Sequence, residues 1–456
     1  MFLAAAPYFA SRFAGRDAWI QTNFQSGILA VSTITNLGAL LVLSNIQHAA
    51  SYPLRISLAL LINVLVFALL TASTAAFLDA SPAAYFAFLL AMVACSSYAT
   101  ALIQNGAFAF AASYGRAEYM QALMAGQGVA GVLPAVAQVV TVLLFPPPTQ
   151  VADDHHGDYD TSAGVGAAPK APPSFSSSSP PPPPPPAPPP SSYSAFFYFL
   201  AAVTISLVAL VALIPLVQRH NRRLAHKLAR SYMAEPLDDT TADFASAPMS
   251  RHGHSNSEDE PHPVITAATT TTPSIRKVTS LWLLFRKLRW LAIGVATTFA
   301  ITMFFPVFTA KIHSVRESTG DIVFRPEAFI PLGFVFWNTG DLLGRLSTIA
   351  PVFASLRRRR PLVLFLLALA RVLVLPLYLL CNINGKGAVI ESDFFYLFVV
   401  QILFGWTNGW LGSTFMMAAG EWVDEREREA TGGFMGLCLV IGLTVGSLLS
   451  FTVSGI

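Results

Sequence analysis

The sequence predicts an all-α protein that crosses a membrane many times, and three observations lead to this prediction. Hydrophobic residues make up 54% of the 456 residues and charged residues only 12%, whereas an ordinary soluble domain has roughly 25% charged residues. The hydrophobic residues form ten runs of about the length that a helix needs to span the hydrocarbon core. Basic residues cluster in alternate connections between these runs, which is typical of polytopic membrane proteins.

The ten predicted spans follow one another along nearly the whole chain. Several contain Gly or Pro, which a bilayer helix tolerates where neighbouring helices cover the freed backbone groups. The spans lie at residues 27–45, 56–78, 85–113, 119–145, 195–217, 290–310, 329–353, 361–381, 394–419 and 431–453.

The positive-inside rule orients these spans. The connections rich in basic residues are predicted to face the cytoplasm, so the Pro-rich loop and the C-terminus at Ile456 are predicted to lie on the extracellular or lumenal side. With ten spans the N-terminus is placed on that outer side as well. The basic residues concerned are Arg55, Arg116, the stretch Arg219 to Arg230, Lys287 with Arg289, and Arg357 to Arg360.

Two polar segments divide the chain. The Pro-rich segment 146–194 favours extended or disordered chain, and the Ser-, Thr- and His-rich segment between the two halves is typical of a mobile linker. The predicted organisation is an outer segment 1–26, an N-terminal helix bundle 27–217 that includes the Pro-rich outer loop, a disordered cytoplasmic loop 218–289, and a C-terminal five-helix bundle 290–456.

Composition and motifs argue against several other functions. A net charge of +3 is too small for a nucleic-acid binder. The three cysteines lie inside apolar runs and lack the spacing of a metal site. His155 and His156 lie among scattered aspartates, which lack such spacing as well. Neither a metal nor a cofactor is therefore expected. The spans show no nucleophile with a matching base, so the chain is not expected to be an enzyme.

The segment GQGVAG matches the dinucleotide-binding pattern G-x-G-x-x-G, but no strand precedes it. Glycines in an uncharged run of helical length usually mark close helix packing. We therefore expect Gly126, Gly128 and Gly131 to be helix-packing residues.

The seventh span carries the most informative polar residues. Asn338, Asp341 and Arg345 are spaced i, i+3, i+7 and lie on one helix face. A charge at a helix centre costs on the order of 2.5 to 3.5 kcal/mol, so such residues usually face a cavity or a partner. Gly340 and Gly344 lie on another face, where they would let a neighbouring helix approach closely. The alternative is an Asp341–Arg345 pair that only neutralises itself.

Polar residues in other spans leave two interpretations open. Arg371, midway along the eighth span, either snorkels to an interface or pairs with a buried acid, and Asp341 is the expected partner. Gln104 in the third span is either a ligand contact or a hydrogen bond between helices. The same alternatives apply to Gln401, Trp406 and Asn408 in the ninth span.

The motifs resemble those of the equilibrative nucleoside transporters. The segment FVFWNTGDLLGR is similar to the family's aromatic-Asn-x-x-Asp-x-x-Gly-Arg signature. The similarity continues, in order along the membrane portion, in YMQALMAGQGVAGVLP, in ARVLVLPLYLLCNI, and in the segment from FGWTNGWLG to GLTVGSLLSF.

The resemblance implies a major-facilitator-like fold of two bundles with eleven helices, of which ten are present here. It also implies nucleosides as substrate, bound near the bilayer midplane and moved by alternating access, either by facilitated diffusion or coupled to protons. The substrate-binding residues it implies are Gln104, Asn338, Asp341 and Arg345. The gating residues it implies are Arg55 with Glu429 on the cytoplasmic side and Leu3 with Pro306 on the outer side.

The N-terminus departs from the family pattern. The family's first helix ends in Pro-Trp-Asn, and this sequence begins just after the corresponding point, so the first helix is expected to be missing through a misplaced start or a truncated transcript, or else the protein has ten helices. The alternative function is a truncated, non-transporting or regulatory membrane protein. The plasma membrane and a vacuolar or endolysosomal membrane both remain open as the location.

Overall fold

A computed structural model describes residues 6–13, 17–46, 51–76, 80–144, 192–233, 280–317, 321–350 and 360–453. Within these residues the regular structure is helical, with one isolated bridge between Ile312 and Ile383. All ten predicted spans contain helix, and the prediction of an all-α polytopic protein is confirmed. The predicted Pro-rich loop falls almost wholly outside the described residues.

The helices have the following bounds in chain order. They are α1 Ala6–Phe13, α2 Ala18–Asn45, α3 Tyr52–Ala75, α4 Pro82–Ser113, α5 Ala117–Leu144, α6 Ser192–Met233, α7 Leu281–Thr302, α8 Phe304–Thr309, α9 Pro326–Ser347, α10 Pro361–Ala370, α11 Leu375–Tyr378, α12 Leu403–Glu421 and α13 Arg428–Ser450. A 3-10 turn, Arg371–Val374, joins α10 to α11, and a π-helical segment, Phe395–Ile402, leads into α12.

Among the residues that the structure describes, eight helical segments are long and apolar enough to cross a membrane by length and composition. The two other predicted spans, α9 and the π-helical segment with α12, are helical but are not among the eight. These two contain Asp341, Arg345, Gln401 and Asn408. The polar residues of the seventh and ninth predicted spans thus lie in helices that are less apolar than the eight, whereas Arg371 and Gln104 lie in two of the eight.

Two predicted boundaries are wrong. Helix α2 begins at Ala18 and not near residue 27, because the carboxylate of Asp17 accepts hydrogen bonds from the backbone N–H groups of Trp19 and Ile20, at 3.0 and 3.1 Å. The predicted disordered loop 218–289 is helical at both ends, since α6 continues to Met233 and α7 begins at Leu281. Residues 218–233 contain neither Gly nor Pro and are rich in strong helix formers.

The helices pack in two groups. Helix α3 packs on α4 and α6, and α2 packs on α4; in the second group α7 packs on α10, α12 and α13, and α9 packs on α12. The groups meet where α5 packs on α9 and where α2 and α4 pack on α13. This arrangement has the form of two bundles with an interface between them.

The hydrophobic contacts between the bundles lie at one end of the molecule. We call it the basic end: the end at which α4 finishes and α5 begins, near Arg116. One hydrophobic cluster there joins both bundles, for example through Phe108 and Met120 of the first and Phe415 and Phe434 of the second. At the opposite end each bundle has a cluster of its own, which contains Phe13, Phe24 and Phe199 in the first and Phe305, Phe329 and Tyr378 in the second.

Four glycines bring α9 and α12 into contact backbone to backbone. A methyl group on Gly340 or Gly344 of α9 would collide with the backbone carbonyl oxygens of Ile402 or Trp406. Likewise, a methyl group on Gly405 or Gly409 of α12 would collide with the backbone carbonyl oxygens of Trp337 or Asp341 of α9. Small residues at four-residue spacing permit this close approach in membrane helices.

Replacing one of these glycines should therefore weaken the protein. We expect Gly409→Ala to lower the free energy of unfolding by about 1 to 3 kcal/mol, because the new methyl group overpacks a contact between backbones. Gly420→Ala, on the same helix with open space around it, should have little effect. Thermal melting of the two purified variants in detergent tests the difference, and equal melting temperatures would contradict it.

Candidate functional site

Asp341 and Arg345 form a buried ion pair on α9. The Nε of Arg345 lies 2.7 Å from Oδ2 of Asp341, and the two residues are only 4% and 6% exposed. The i, i+4 spacing predicted from the sequence brings both groups onto the same face. Two opposite charges therefore occupy the interior of the protein where α9 meets α5.

Arg345 also reaches the other bundle. Its Nη1 donates to the backbone carbonyl oxygen of Met124 at 3.0 Å and to Oε1 of Gln127 at 3.3 Å, and both acceptors belong to α5. Gly128 makes room for it, since a methyl group there would come within 3.0 Å of Cδ of Arg345. The guanidinium group thus connects the two bundles, so the pair does more than neutralise itself.

The second carboxylate oxygen of Asp341 is held from α12. Its Oδ1 accepts a hydrogen bond from Nδ2 of Asn408 at 2.7 Å, and Oδ1 of Asn408 in turn accepts from the hydroxyl of Thr302 at 2.6 Å. Both oxygens of the carboxylate therefore have a donor, one from its own helix and one from α12.

Arg371 is buried, at 2% exposure, so it does not snorkel to an interface. Its guanidinium donates to the carbonyl oxygen of Thr298 at 2.6 Å and to the hydroxyl of Thr302 at 3.3 Å, and it stacks over Phe404 at 4.7 Å. The expected pairing with Asp341 is not a direct contact, because Thr302 and Asn408 stand between the two groups.

Asn338 lies one turn before Asp341 on α9. Its Nδ2 donates to the carbonyl oxygen of Phe334 at 2.8 Å, and its Oδ1 faces Gly131 of α5. It lines a cavity of about 420 Å³ between α5, α6 and α9, together with Gln138 and Tyr198. This volume is within the range of small-molecule sites.

Gln104 lies on α4, on the face directed at α2 and α13. Seven residues earlier Ser97 bonds to Ser32 of α2 at 2.9 Å, and four residues later Phe108 packs on Gly436 of α13. Oε1 of Gln104 is buried without a hydrogen-bond partner, which costs about 1 to 3 kcal/mol unless a ligand or water supplies a donor. Gln104 and Asn338 lie outside the hydrogen-bonded cluster around Asp341 that the described residues form.

The predicted gating residues are placed only in part. Arg55 donates to the carbonyl oxygens of Leu43 and Ile46, at 3.4 and 2.7 Å, and to the side chain of Asn105. Glu429 lies half-buried in the first turn of α13, and its pairing with Arg55 stays a prediction. Pro306 is part of α8, whereas Leu3 falls outside the described residues.

The contacts at the basic end involve residues around the start of α13. Lys287 of α7 pairs with Glu427 at 2.7 Å, and both belong to the second bundle. Arg428 makes a contact that crosses between the bundles, because its guanidinium packs against Gly115 in the turn between α4 and α5. Gly115 has φ +66°, a conformation that favours glycine.

The glycines of the GQGVAG segment differ in their surroundings. Gly128 and Gly131 face α9, where methyl groups would meet Arg345, Leu342 and Asn338. Gly126 has nothing within 4 Å of the position that a methyl group would take. The sequence pattern indicates close packing but does not tell which glycine makes it.

Sequence reasoning missed Thr302 and Gln127. Both are polar residues in apolar runs, and Gln127 sits between two of the glycines just described. The described residues contain no group of three His, Cys, Asp or Glu side chains that could hold a metal ion; His155 and His156 lie outside them.

The chain is similar to several known proteins. A family model described as "Nucleoside transporter" matches residues 90–154 and 187–454. Nucleoside transporter FUN26 of Saccharomyces cerevisiae is 27% identical over 98% of this chain and 80% of its own length. Equilibrative nucleoside transporter 2 of Mus musculus is 25% identical over 99% of this chain and 92% of its own. Among solved structures, the E. coli fucose:proton symporter FucP aligns with all of this chain and 90% of its own, with a TM-score of 0.45 and 12% identity.

The buried pair leads to a prediction about stability. Asp341→Leu should lower the free energy of unfolding by about 3 to 5 kcal/mol, because it leaves the Arg345 guanidinium buried without its counter-charge. Adding Arg345→Met should restore most of the loss, since a buried pair is often replaceable by apolar residues of similar size. Melting curves of the single and double variants in detergent measure this; a double variant less stable than the single one would contradict it.

Proposed function

The chain belongs to the nucleoside transporter family, and from this premise we propose that it carries purine and pyrimidine nucleosides across a membrane by alternating access. The observation that carries the proposal is the buried Asp341–Arg345 pair, which lies at the contact between the two bundles. Charged groups within membrane spans usually mark a substrate path.

The chemistry of these groups suits a nucleoside. Ribose hydroxyls both donate and accept hydrogen bonds, so they match a carboxylate that only accepts and a guanidinium that only donates. The amides of Gln104 and Asn338 can recognise the edge of a base. We propose that Gln104, Asn338, Asp341 and Arg345 contact the substrate.

The present hydrogen bonds indicate how a nucleoside would enter this site. Arg345 uses Nε for Asp341 and Nη1 for Met124 and Gln127, while a guanidinium has five N–H donors in all. A ribose hydroxyl can therefore bond to Arg345 directly or replace its contacts with α5. Either change alters the contact between the bundles at the point where substrate binds.

The distribution of hydrophobic contacts supports alternating access. The bundles share one hydrophobic cluster at the basic end and have separate clusters at the opposite end. Because the positive-inside rule assigns the basic end to the cytoplasm, we propose that this conformation is closed to the cytoplasm. Transport then requires α4 and α13 to separate, where Gly432 and Gly436 pack on Phe108.

The membrane itself is part of the proposal. We propose a plasma-membrane or vacuolar or endolysosomal location, with the C-terminus extracellular or lumenal and the lipid bilayer as the surrounding medium. Epitope tags at either end, stained with and without permeabilisation, would test the orientation.

Uptake of labelled uridine or adenosine into transporter-deficient cells or proteoliposomes tests the function. We expect uptake by the unmodified protein, and nearly complete loss in Asp341→Asn and in Arg345→Gln, because each removes a charge from the pair. Asp341→Asn does so without changing the size of the side chain. Glu391→Gln is the control, because it changes an exposed carboxylate that is not one of the proposed site residues. This variant should transport normally.

Absence of uptake by correctly inserted, unmodified protein would contradict the proposal. It would favour the alternative, a non-transporting or regulatory member of the family. Retained uptake in the Asp341 and Arg345 variants would remove these residues from the site.

Energy coupling is tested in the same vesicles. Uptake that an inward proton gradient accelerates would indicate proton coupling, whereas uptake that merely equalises the nucleoside concentration on both sides would indicate facilitated diffusion. Recovery of chemically unchanged nucleoside from the vesicle interior would separate transport from enzymatic conversion.

A further inference from the structure

We propose that Arg371, Thr302 and Asn408 form a relay of hydrogen bonds that positions the carboxylate of Asp341 and thereby sets its preference for the ribose hydroxyls. This inference rests on the proposed function. Arg371 and Thr302 reach the carboxylate only through Asn408, so the three are positioning residues and not substrate contacts. We call Arg371, Thr302 and Asn408 the relay.

The relay crosses four helical segments of the second bundle. Arg371 begins the 3-10 turn after α10, Thr302 is the last residue of α7, Asn408 lies in α12, and Asp341 lies in α9. The successive distances are 3.3 Å from Nη2 of Arg371 to Thr302, 2.6 Å from Thr302 to Asn408, and 2.7 Å from Asn408 to Asp341. All four residues are buried.

The chemistry at the two ends fixes the direction of every bond. At one end an ionised carboxylate only accepts, so Asn408 must present its NH₂ group to Asp341. The carbonyl oxygen of Asn408 then faces Thr302 and needs a donor, which is the Thr302 hydroxyl. At the other end a guanidinium only donates, so it can bond only to the lone pairs of that hydroxyl.

A competing acceptor for the Thr302 proton is weakened by the same arginine. The hydroxyl of Thr302 also lies 2.8 Å from the carbonyl oxygen of Thr298 in its own helix. That oxygen already accepts from Nη1 of Arg371 at 2.6 Å. The proton is therefore directed to Asn408, and the chain of donors runs one way from Arg371 to Asp341.

Arg371 itself is held by several groups around it. Its Nε donates to the hydroxyl of Thr407 at 3.2 Å, Nη2 lies 3.4 Å from the carbonyl oxygen of Phe404, and the guanidinium stacks on the Phe404 ring. Because the guanidinium of Arg371 is held from several sides, the first donor of the relay has a fixed position. The carboxylate at the other end is consequently held in one orientation, with its second oxygen on Arg345.

The decisive variant is Thr302→Val, which keeps the shape of the side chain but removes the hydroxyl. We expect the KM for uridine uptake to rise about tenfold, the factor that corresponds to the loss of roughly one buried hydrogen bond. Thr302→Ser, which retains a hydroxyl, should restore the KM to near the original value.

The ribose preference separates positioning from general loosening of the site. A nucleoside that lacks the 2′- and 3′-hydroxyls, such as 2′,3′-dideoxyuridine, cannot offer these two groups to an oriented carboxylate. We therefore expect its KM to stay nearly constant in Thr302→Val, so that the preference for uridine over 2′,3′-dideoxyuridine falls about tenfold. An equal rise for both nucleosides would overturn the proposal in favour of a merely structural role.

Thr414→Val is the matched control. Thr414 is also buried, and its hydroxyl bonds at 2.6 Å to the carbonyl oxygen of Trp410 within α12, away from the relay. The KM values of the Thr414→Val variant for both nucleosides should equal those of the unmodified protein. An effect of Thr414→Val as large as that of Thr302→Val, or no effect of Thr302→Val, would overturn the proposal.

A second measurement does not depend on nucleosides. In melting curves of purified protein, Thr302→Val and Asp341→Asn should be non-additive because they act on the same chain of bonds, whereas Thr414→Val and Asp341→Asn should be additive. Failure of the unmodified protein to transport would refute the proposed function alone, and additivity of the first pair would refute the relay alone. Should Thr302→Val fail to insert, Asn408→Ser interrupts the same relay and carries the same expectations.

Discussion

A carboxylate inside a membrane span has to be satisfied by the protein, and this constraint shapes the second bundle. Asp341 receives one donor from Arg345 on its own helix and one from Asn408 on α12. The bond to Asn408 requires α9 and α12 to touch backbone to backbone, because an asparagine side chain is short. Four glycines, Gly340 and Gly344 facing α12 and Gly405 and Gly409 facing α9, make that approach possible.

The same carboxylate ties the second bundle to the first. Arg345 is held at one nitrogen by Asp341 and bonds with another to the backbone of Met124. A backbone carbonyl is an acceptor that rotation of the Met124 side chain cannot withdraw, so the link changes when Arg345 itself turns away, when α5 and α9 shift or when a ligand replaces it. In the proposed mechanism, substrate binding and bundle motion therefore both involve the guanidinium group of Arg345. The shared hydrophobic cluster at the basic end holds the bundles together elsewhere.

The sequence predicts the spans well because a chain in lipid can adopt few backbone structures. A backbone in hydrocarbon must satisfy its own hydrogen bonds, so a run of some 20 apolar residues becomes a helix. The helical period alone likewise puts Asn338, Asp341 and Arg345 on one face. Helix ends are less predictable, since the capping carboxylate of Asp17 and the extension of α6 to Met233 depend on local features that hydropathy does not register.

The partner of Arg371 was the least predictable feature, and the reason is electrostatic. In the described part of the chain, the charged residues that are buried are two guanidinium groups and one carboxylate: Arg345, Arg371 and Asp341. A direct contact with Arg371 would make one carboxylate the shared counter-charge of two guanidinium groups and would take the position at Oδ1 that Asn408 occupies. Thr302 and Asn408 prevent this by separating Arg371 from Asp341, while carbonyl oxygens and the ring of Phe404 stabilise the distant charge. Threonine and asparagine in an apolar run look ordinary in sequence, and only their positions between two opposite charges give them this role.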